Sequence, residues 1–286
     1  MTTHTYLRPT CIEEALQLAS QHPGARFVAG GTDLMVQSQR GRVSPETLVS
    51  LRRVDELGQI SWADGQLRIG AAVPLASVAQ HEQVLRGFHA LGQSIAVVGS
   101  PQIRNVASLG GNLCNASPGA DTAPALLAHG AQVELVGPAG PRTLDLTDFF
   151  LGPGSTALQE GEILTAVLLQ EAPGSSSAFL RKGRVRMDLA IASAAVQLDV
   201  EDDVCRLARI AVGAVAPTPL RLLAAEACLT GQRLDGDAVN QAASAVADAI
   251  APISDLRASR EYRLQLTPVL VRRALNACLA VGGRES

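Results

Sequence analysis

The sequence predicts an α+β protein built in three parts, and three observations carry that reading. Near the N-terminus a short apolar strand runs into a glycine pair and then a helix; a central region strings together short strands of antiparallel character; and the last third joins three strand-like runs to helical periodicity. The chain has 286 residues, 47% of them hydrophobic and 18% charged. It is therefore long and apolar enough for more than one core, since single cores rarely outgrow roughly 250 to 300 residues.

Residues 12–22 (IEEALQLASQH) repeat apolar side chains at helical spacing, and Pro23-Gly24 ends them. The run 25–29 (ARFVA) predicts a strand that feeds Gly30, Gly31, Thr32 and Asp33, after which LMVQSQRG is helix-like. TLVSLRRV predicts another strand and completes a small α/β unit over 1–55. From 56 to 173 the segments QISWA, GQLRIGAAV, AQVELVG, RTLDL and EILTAVLL predict an antiparallel sheet, with helical stretches at 75–95 and 122–129. The Pro-Gly-Ser-rich run 171–178 (EAPGSSSA) is the best boundary in the chain. Beyond it, over 178–286, AFLRKGRV, LAIASAAVQLDV and RLARIAVGAV predict three strands, followed by helical segments at 220–230, 236–250 and 259–281.

A net charge of −3 with interspersed signs leaves no electrostatic footprint for nucleic acid or an anionic membrane. No apolar run reaches about 18 residues, and the first twenty residues lack the apolar centre of a secretory signal, so a cytoplasmic protein without membrane insertion is expected. Five cysteines without a C-x-x-C pair are poor material for a disulfide framework, a zinc site or an iron–sulfur cluster. The five histidines, at 4, 22, 81, 89 and 129, are scattered, and none is assigned a catalytic role.

Two glycine-rich segments carry the chemistry. In Ala29, Gly30, Gly31, Thr32, Asp33 and Leu34, paired glycines after a strand let the backbone approach a bulky anion with its amides pointing at phosphate oxygens. An ordinary strand-to-helix turn capped by Thr32 or Asp33 is the competing reading. The segment 99–122, GSPQIRNVASLGGNLCNASPGADT, is dense in Gly, Ser and Asn with almost no free charge, which suits a buried ligand met by backbone amides and short side chains. Its single acid, Asp121, is placed to accept from ribose hydroxyls or, alternatively, to cap a helix. No G-x-G-x-x-G, G-x-x-x-x-G-K-[ST], H-E-x-x-H or G-x-S-x-G occurs. The residues alone point to dinucleotide binding outside the Rossmann fold, with a pyrophosphate held between two subdomains.

The blocks VAGGTDLMVQ, GSPQIRNVASLGGNLCNASPGADTAPALLAHGAQVEL, GEIL and FLRKGRVRMDLAIAS lie in the order of a known family and span almost the whole chain. The sequence resembles the FAD-binding medium subunits of the xanthine dehydrogenase and carbon monoxide dehydrogenase group. That resemblance implies a fold of the vanillyl-alcohol-oxidase (PCMH) type: two α+β subdomains enclosing FAD, then a C-terminal subdomain with a three-stranded antiparallel sheet and helices. It implies pyrophosphate contacts from Ala29, Gly30, Gly31, Thr32, Asp33 and Leu34 and from Ala107, Ser108, Gly110, Gly111 and Asn112. Asp121 falls on the adenosine-side acid, with Ser117 in the same segment, and Ile103 and Leu164 join the implied set. Arg181 and Lys182 compete for a basic position near the isoalloxazine, where a cation would stabilise reduced flavin; a solvated basic strand is the alternative. Cys114 falls inside the second segment, either near flavin or as a small packed side chain.

By the same resemblance the chain would relay electrons rather than transform an organic substrate. Partners would be an iron–sulfur small subunit with [2Fe-2S] clusters and a molybdopterin large subunit, assembled as a dimer of heterotrimers. NAD, a quinone or oxygen would be the final acceptor. A stand-alone flavin oxidoreductase of the same fold is the alternative. It would need a positioned acid or base above the flavin, and the only tyrosines are Tyr6 and Tyr262. A scaffold that has lost FAD is the third reading.

Overall fold

The computed structural model describes residues 4–282. Three larger sheets organise the described residues, beside a two-stranded one of Phe150–Gly152 and Ser155–Thr156. The first is parallel, with Thr47–Ser50 in the centre between Thr5–Leu7 and Arg26–Val28. All four central residues are buried, as a strand covered on both faces must be. The helix Ile12–Gln21 packs Ala15 into a small core with Val49, Leu51, Val54 and Leu57, and Ile163 of the second sheet enters the same core. Thr5–Leu7 was not expected as a strand. Only its pairing with Thr47–Val49 marks it, because three residues carry no readable periodicity.

The second sheet runs in the order Ile60–Ala63, Gln66–Gly70, Ile163–Gln170, Gln132–Gly137, Gly140–Asp145, all antiparallel. Its first hairpin turns at Asp64-Gly65, both at positive φ, the turn that matches the twist of paired strands. The single helical stretch expected over 75–95 is three helices, Leu75–Gln80, Glu82–Gly87 and His89–Ala96. The breaks have local causes. His81 leaves helical geometry (ψ 134°) and its ring accepts from the Gln83 amide, capping the second helix, while Phe88 turns out of the helix (φ −124°, ψ 51°) with its side chain fully buried.

The third sheet is a meander of Ser175–Lys182, Ala192–Glu201 and Val204–Gly213, with a fourth strand, Leu220–Arg221, that the three-strand expectation lacked. Leu220 and Arg221 were read as the start of a helix. They pair instead with Val212 and Ala211, and the helix begins at Leu223. The strand expected from Ala178 begins at Ser175, and the helix expected over 236–250 divides into Gly236–Ser244 and Val246–Ala249. The long helix Arg260–Gly282 lies across this sheet and contributes Val271, Ala274, Leu275 and Cys278 to its core. Phe179, Ala195 and Ala211 of the third sheet belong to the core of the second, so the two parts share an apolar interface.

Candidate functional site

The two glycine segments, more than seventy residues apart in sequence, wall one cavity of about 370 Å³. Ala29 through Leu34 form one side; Ala107, Ser108, Gly111 and Asn112 form the other. The approach is direct: a Cβ added at Gly30 would stand 2.9 Å from Ala107 Cα and closer still to the Val106 carbonyl, so only glycine lets the segments meet. Gly31 has φ +70°, a second reason for glycine in this turn.

The amides of Gly30, Gly31, Thr32 and Asp33 donate to no carbonyl among the described residues. Asp33 stands at the N-cap of the helix Leu34–Gln39 but its side chain makes no capping bond, so the ordinary capped turn is not what this segment forms. The second segment contains two short helices, Pro101–Arg104 and Leu109–Cys114. Ser100 caps Pro101–Arg104, and Ser108 caps Leu109–Cys114 by accepting from the Gly111 amide at 3.2 Å. Gly110 does not face the cavity but packs on Ala71, whose Cβ would be 2.6 Å from an added Cβ. The segments are also tied through side chains, with Gln37 Nε2 donating to Asn115 Oδ1 at 3.1 Å.

Arg26, Arg42, Gln37, Asn115 and Gly154 line the cavity without having been anticipated. Arg26 and Arg42 are exposed and bring positive charge to its edge, which complements an anionic ligand. Nothing in the local sequence flags Arg42, since the positive-φ Gly41 and the bond from the Arg42 amide to the Gln37 carbonyl turn the chain back. Cys114 lines the cavity too; its sulfur is enclosed although the residue keeps some exposure, and burial pushes the thiol up to about 12. At neutral pH it is a packed, un-ionised side chain.

The other anticipated residues lie elsewhere. Asp121 is buried and its Oδ2 accepts from Arg181 Nη1 at 2.6 Å, while Oδ1 has no partner. It occupies the N-cap position of Thr122–Ala128 without a capping bond, so the capping alternative fails here as well. Burial pushes its carboxyl up to about 6, against the pull of Arg181. Arg181 also donates to the carbonyls of Val97 and Asp188. It is thus a buried tether, not part of a solvated basic strand, whereas Lys182 is exposed. Leu164 is buried beside the bulge in Ile163–Gln170, Ile103 is exposed, and Ser117 lines a second cavity.

Residues 2–169 match the family described as FAD binding domain in molybdopterin dehydrogenase, and 177–278 match the CO dehydrogenase flavoprotein C-terminal domain. This chain belongs to the FAD-binding subunits of the molybdopterin dehydrogenases. It is 31% identical to a putative xanthine dehydrogenase FAD-binding subunit of Escherichia coli K12, over 98% of this chain and 97% of that protein. It is 34% identical to the carbon monoxide dehydrogenase medium chain of Afipia carboxidovorans, over 96% of each. A solved carbon monoxide dehydrogenase from Hydrogenophaga pseudoflava superposes with a TM-score of 0.94 at 32% identity, over 97% of both chains. As a flavoprotein oxidoreductase subunit of this family, the chain takes FAD as its cofactor. The residues present fit that group: uncommitted amides beside a glycine-only close approach, and two flanking arginines. Among the described residues no cluster of His, Cys, Asp or Glu is suited to a metal, and no helix is long and apolar enough to cross a membrane.

Proposed function

We propose that this chain is the electron-relaying subunit of a multi-subunit molybdenum hydroxylase, receiving electrons from [2Fe-2S] clusters of a small subunit and passing them to an external acceptor. The observation that carries the reading is the convergence of both glycine segments on one cavity with free amides. Bound there, FAD supplies a centre that accepts electrons singly and releases them singly or in pairs. The amides of Gly30, Gly31, Thr32 and Asp33, with Ser108 and Asn112 opposite, would hold the diphosphate, and Arg26 and Arg42 would offset its charge. Gly110 would act through packing, by seating the Ser108-capped helix on Ala71. Asp121 Oδ1 would accept from a cofactor hydroxyl, with Arg181 fixing the carboxylate; Ser117, Leu164 and Ile103 would flank the rest.

Relatives support the assembly. One solved structure that superposes with a TM-score of 0.94 is a Cu,Mo-CO dehydrogenase, and another, with a TM-score of 0.93, is a quinoline 2-oxidoreductase from Pseudomonas putida 86. A molybdopterin large subunit and an iron–sulfur small subunit are therefore the proposed partners, in a dimer of heterotrimers, with NAD, a quinone or oxygen as acceptor. The test is reconstitution: the isolated chain should turn yellow with FAD yet hydroxylate no purine or aldehyde alone. Turnover by the isolated chain would refute the relay role.

A further inference from the structure

The helix Leu109–Cys114 brings two carboxamides to the cofactor cavity, those of Asn112 and of its C-cap Asn115. A carboxamide is ambivalent toward an anion, since its two ends are nearly the same size but Nδ2 donates while Oδ1 repels. In both residues the oxygen is already taken. Thr122 Oγ1 donates to Asn112 Oδ1 at 2.6 Å, and Gln37 Nε2 donates to Asn115 Oδ1 at 3.1 Å. Among the described residues neither Nδ2 has a partner, and both stay accessible. We propose that Thr122 is a positioning residue for the cofactor: it holds the Asn112 carboxamide with Nδ2 toward the diphosphate, as Gln37 does for Asn115. The proposal rests on the diphosphate placement above and adds a residue that does not itself line the cavity.

The direction of the Thr122 bond has a physical cause. A threonine hydroxyl in a helix commonly donates to the carbonyl four residues back. Thr230 and Thr267 do this, reaching the Glu226 and Arg263 carbonyls at 3.1 and 2.7 Å. For Thr122 the corresponding carbonyl is that of Pro118, which accepts instead from the Ala214 amide at 2.7 Å. Thr122 is fully buried, and among the described residues its hydroxyl reaches no acceptor other than Asn112 Oδ1. Turning the carboxamide round would leave that proton without an acceptor in the core, a larger cost than a single hydrogen bond contributes.

The hydroxyl stands on a rigid base. Every residue of Thr122–Ala128 is buried, and the helix lies so close to the third sheet that a Cβ added at Gly213 would be 2.7 Å from Pro124 Cγ. A donor held in place before the anion arrives needs no reordering on binding, and that is how preorganisation adds affinity. None of the residues lining the cavity lies beyond Gly154. The C-terminal sheet therefore acts on the anion site at one remove, by seating the helix that carries Thr122.

The test is a double-mutant cycle on the full chain, freed of FAD and titrated with it, read by flavin fluorescence. Thr122→Val keeps the shape and removes the hydroxyl; it should bind FAD roughly tenfold more weakly, the loss of one well-aimed bond to a charged group. Thr122→Ser keeps the hydroxyl and should match wild type, and in an Asn112→Ala background Thr122→Val should have no further effect. A merely structural role would weaken binding in both backgrounds. Asn112→Asp decides the matter where Thr122→Val misfolds: it keeps the acceptor for Thr122, replaces Nδ2 by an oxygen, and should bind FAD more weakly than Asn112→Ala. Wild-type affinity in Thr122→Val, a full further loss in the Asn112→Ala background, or wild-type affinity in Asn112→Asp overturns the proposal. Any of these in a chain whose wild type takes up FAD removes the positioning role alone; a wild type that takes up no FAD removes the diphosphate placement with it.

Discussion

His129 is 1% exposed, with neither ring nitrogen hydrogen-bonded, and its ring meets Phe88 edge-on at 5.1 Å between centroids. Burial, with Arg209 and His89 adding to it, lowers its pKa from 6.5 to about 3. The folded state therefore holds a neutral ring that the unfolded chain protonates first. Its contribution is whole above pH 6.5 and is lost as pH falls toward 3. Asp121 acts in the opposite sense: raised from 3.8 to about 6, its carboxyl costs stability as pH rises through that window. His129→Leu should raise stability by about 1 kcal/mol at neutral pH, because an unpaired buried polar group is removed. It should also flatten the loss between pH 6.5 and 4, read from denaturant midpoints against pH; wild-type behaviour would show that the ring has a partner. The sequence marked His129 only as a residue without catalytic role, since burial of a helix-end histidine depends on contacts from distant strands.

At the scale of elements, composition misled where it was most informative. The glycine-rich composition of 99–122 argues against helix, because each glycine in a helix costs roughly 1 kcal/mol relative to alanine. Yet Leu109–Cys114 is a helix containing both Gly110 and Gly111. Two things offset the cost: the Ser108 cap, and the docking of Gly110 on Ala71, with its amide bonding the Ala71 carbonyl at 3.0 Å. Ser108→Ala should thus cost about 1 kcal/mol of stability, measured by thermal or denaturant unfolding, and weaken FAD binding severalfold. An unchanged FAD affinity would mean that the cap does not shape the cavity. Where pattern and packing agree, as in the all-buried Thr47–Ser50, the strand was readable from residue types alone.

For the whole molecule, the residues gave two anion-suited segments and the family blocks gave their common ligand, but neither gave their distance. That depends on Gly30 lying against the Val106–Ala107 backbone, a contact between parts of the chain whose strands belong to different sheets. The same reason hid Arg42 and the Asp121–Arg181 pair, whose members are brought together by tertiary packing alone. The convergence is therefore the claim on which function rests. The FAD dissociation constant of Gly30→Ala, measured by calorimetry beside Gly236→Ala, tests it most directly, since a Cβ at Gly236 meets nothing within 4 Å. Gly30→Ala should bind FAD at least tenfold more weakly while Gly236→Ala matches wild type; equal affinity in all three would contradict the account.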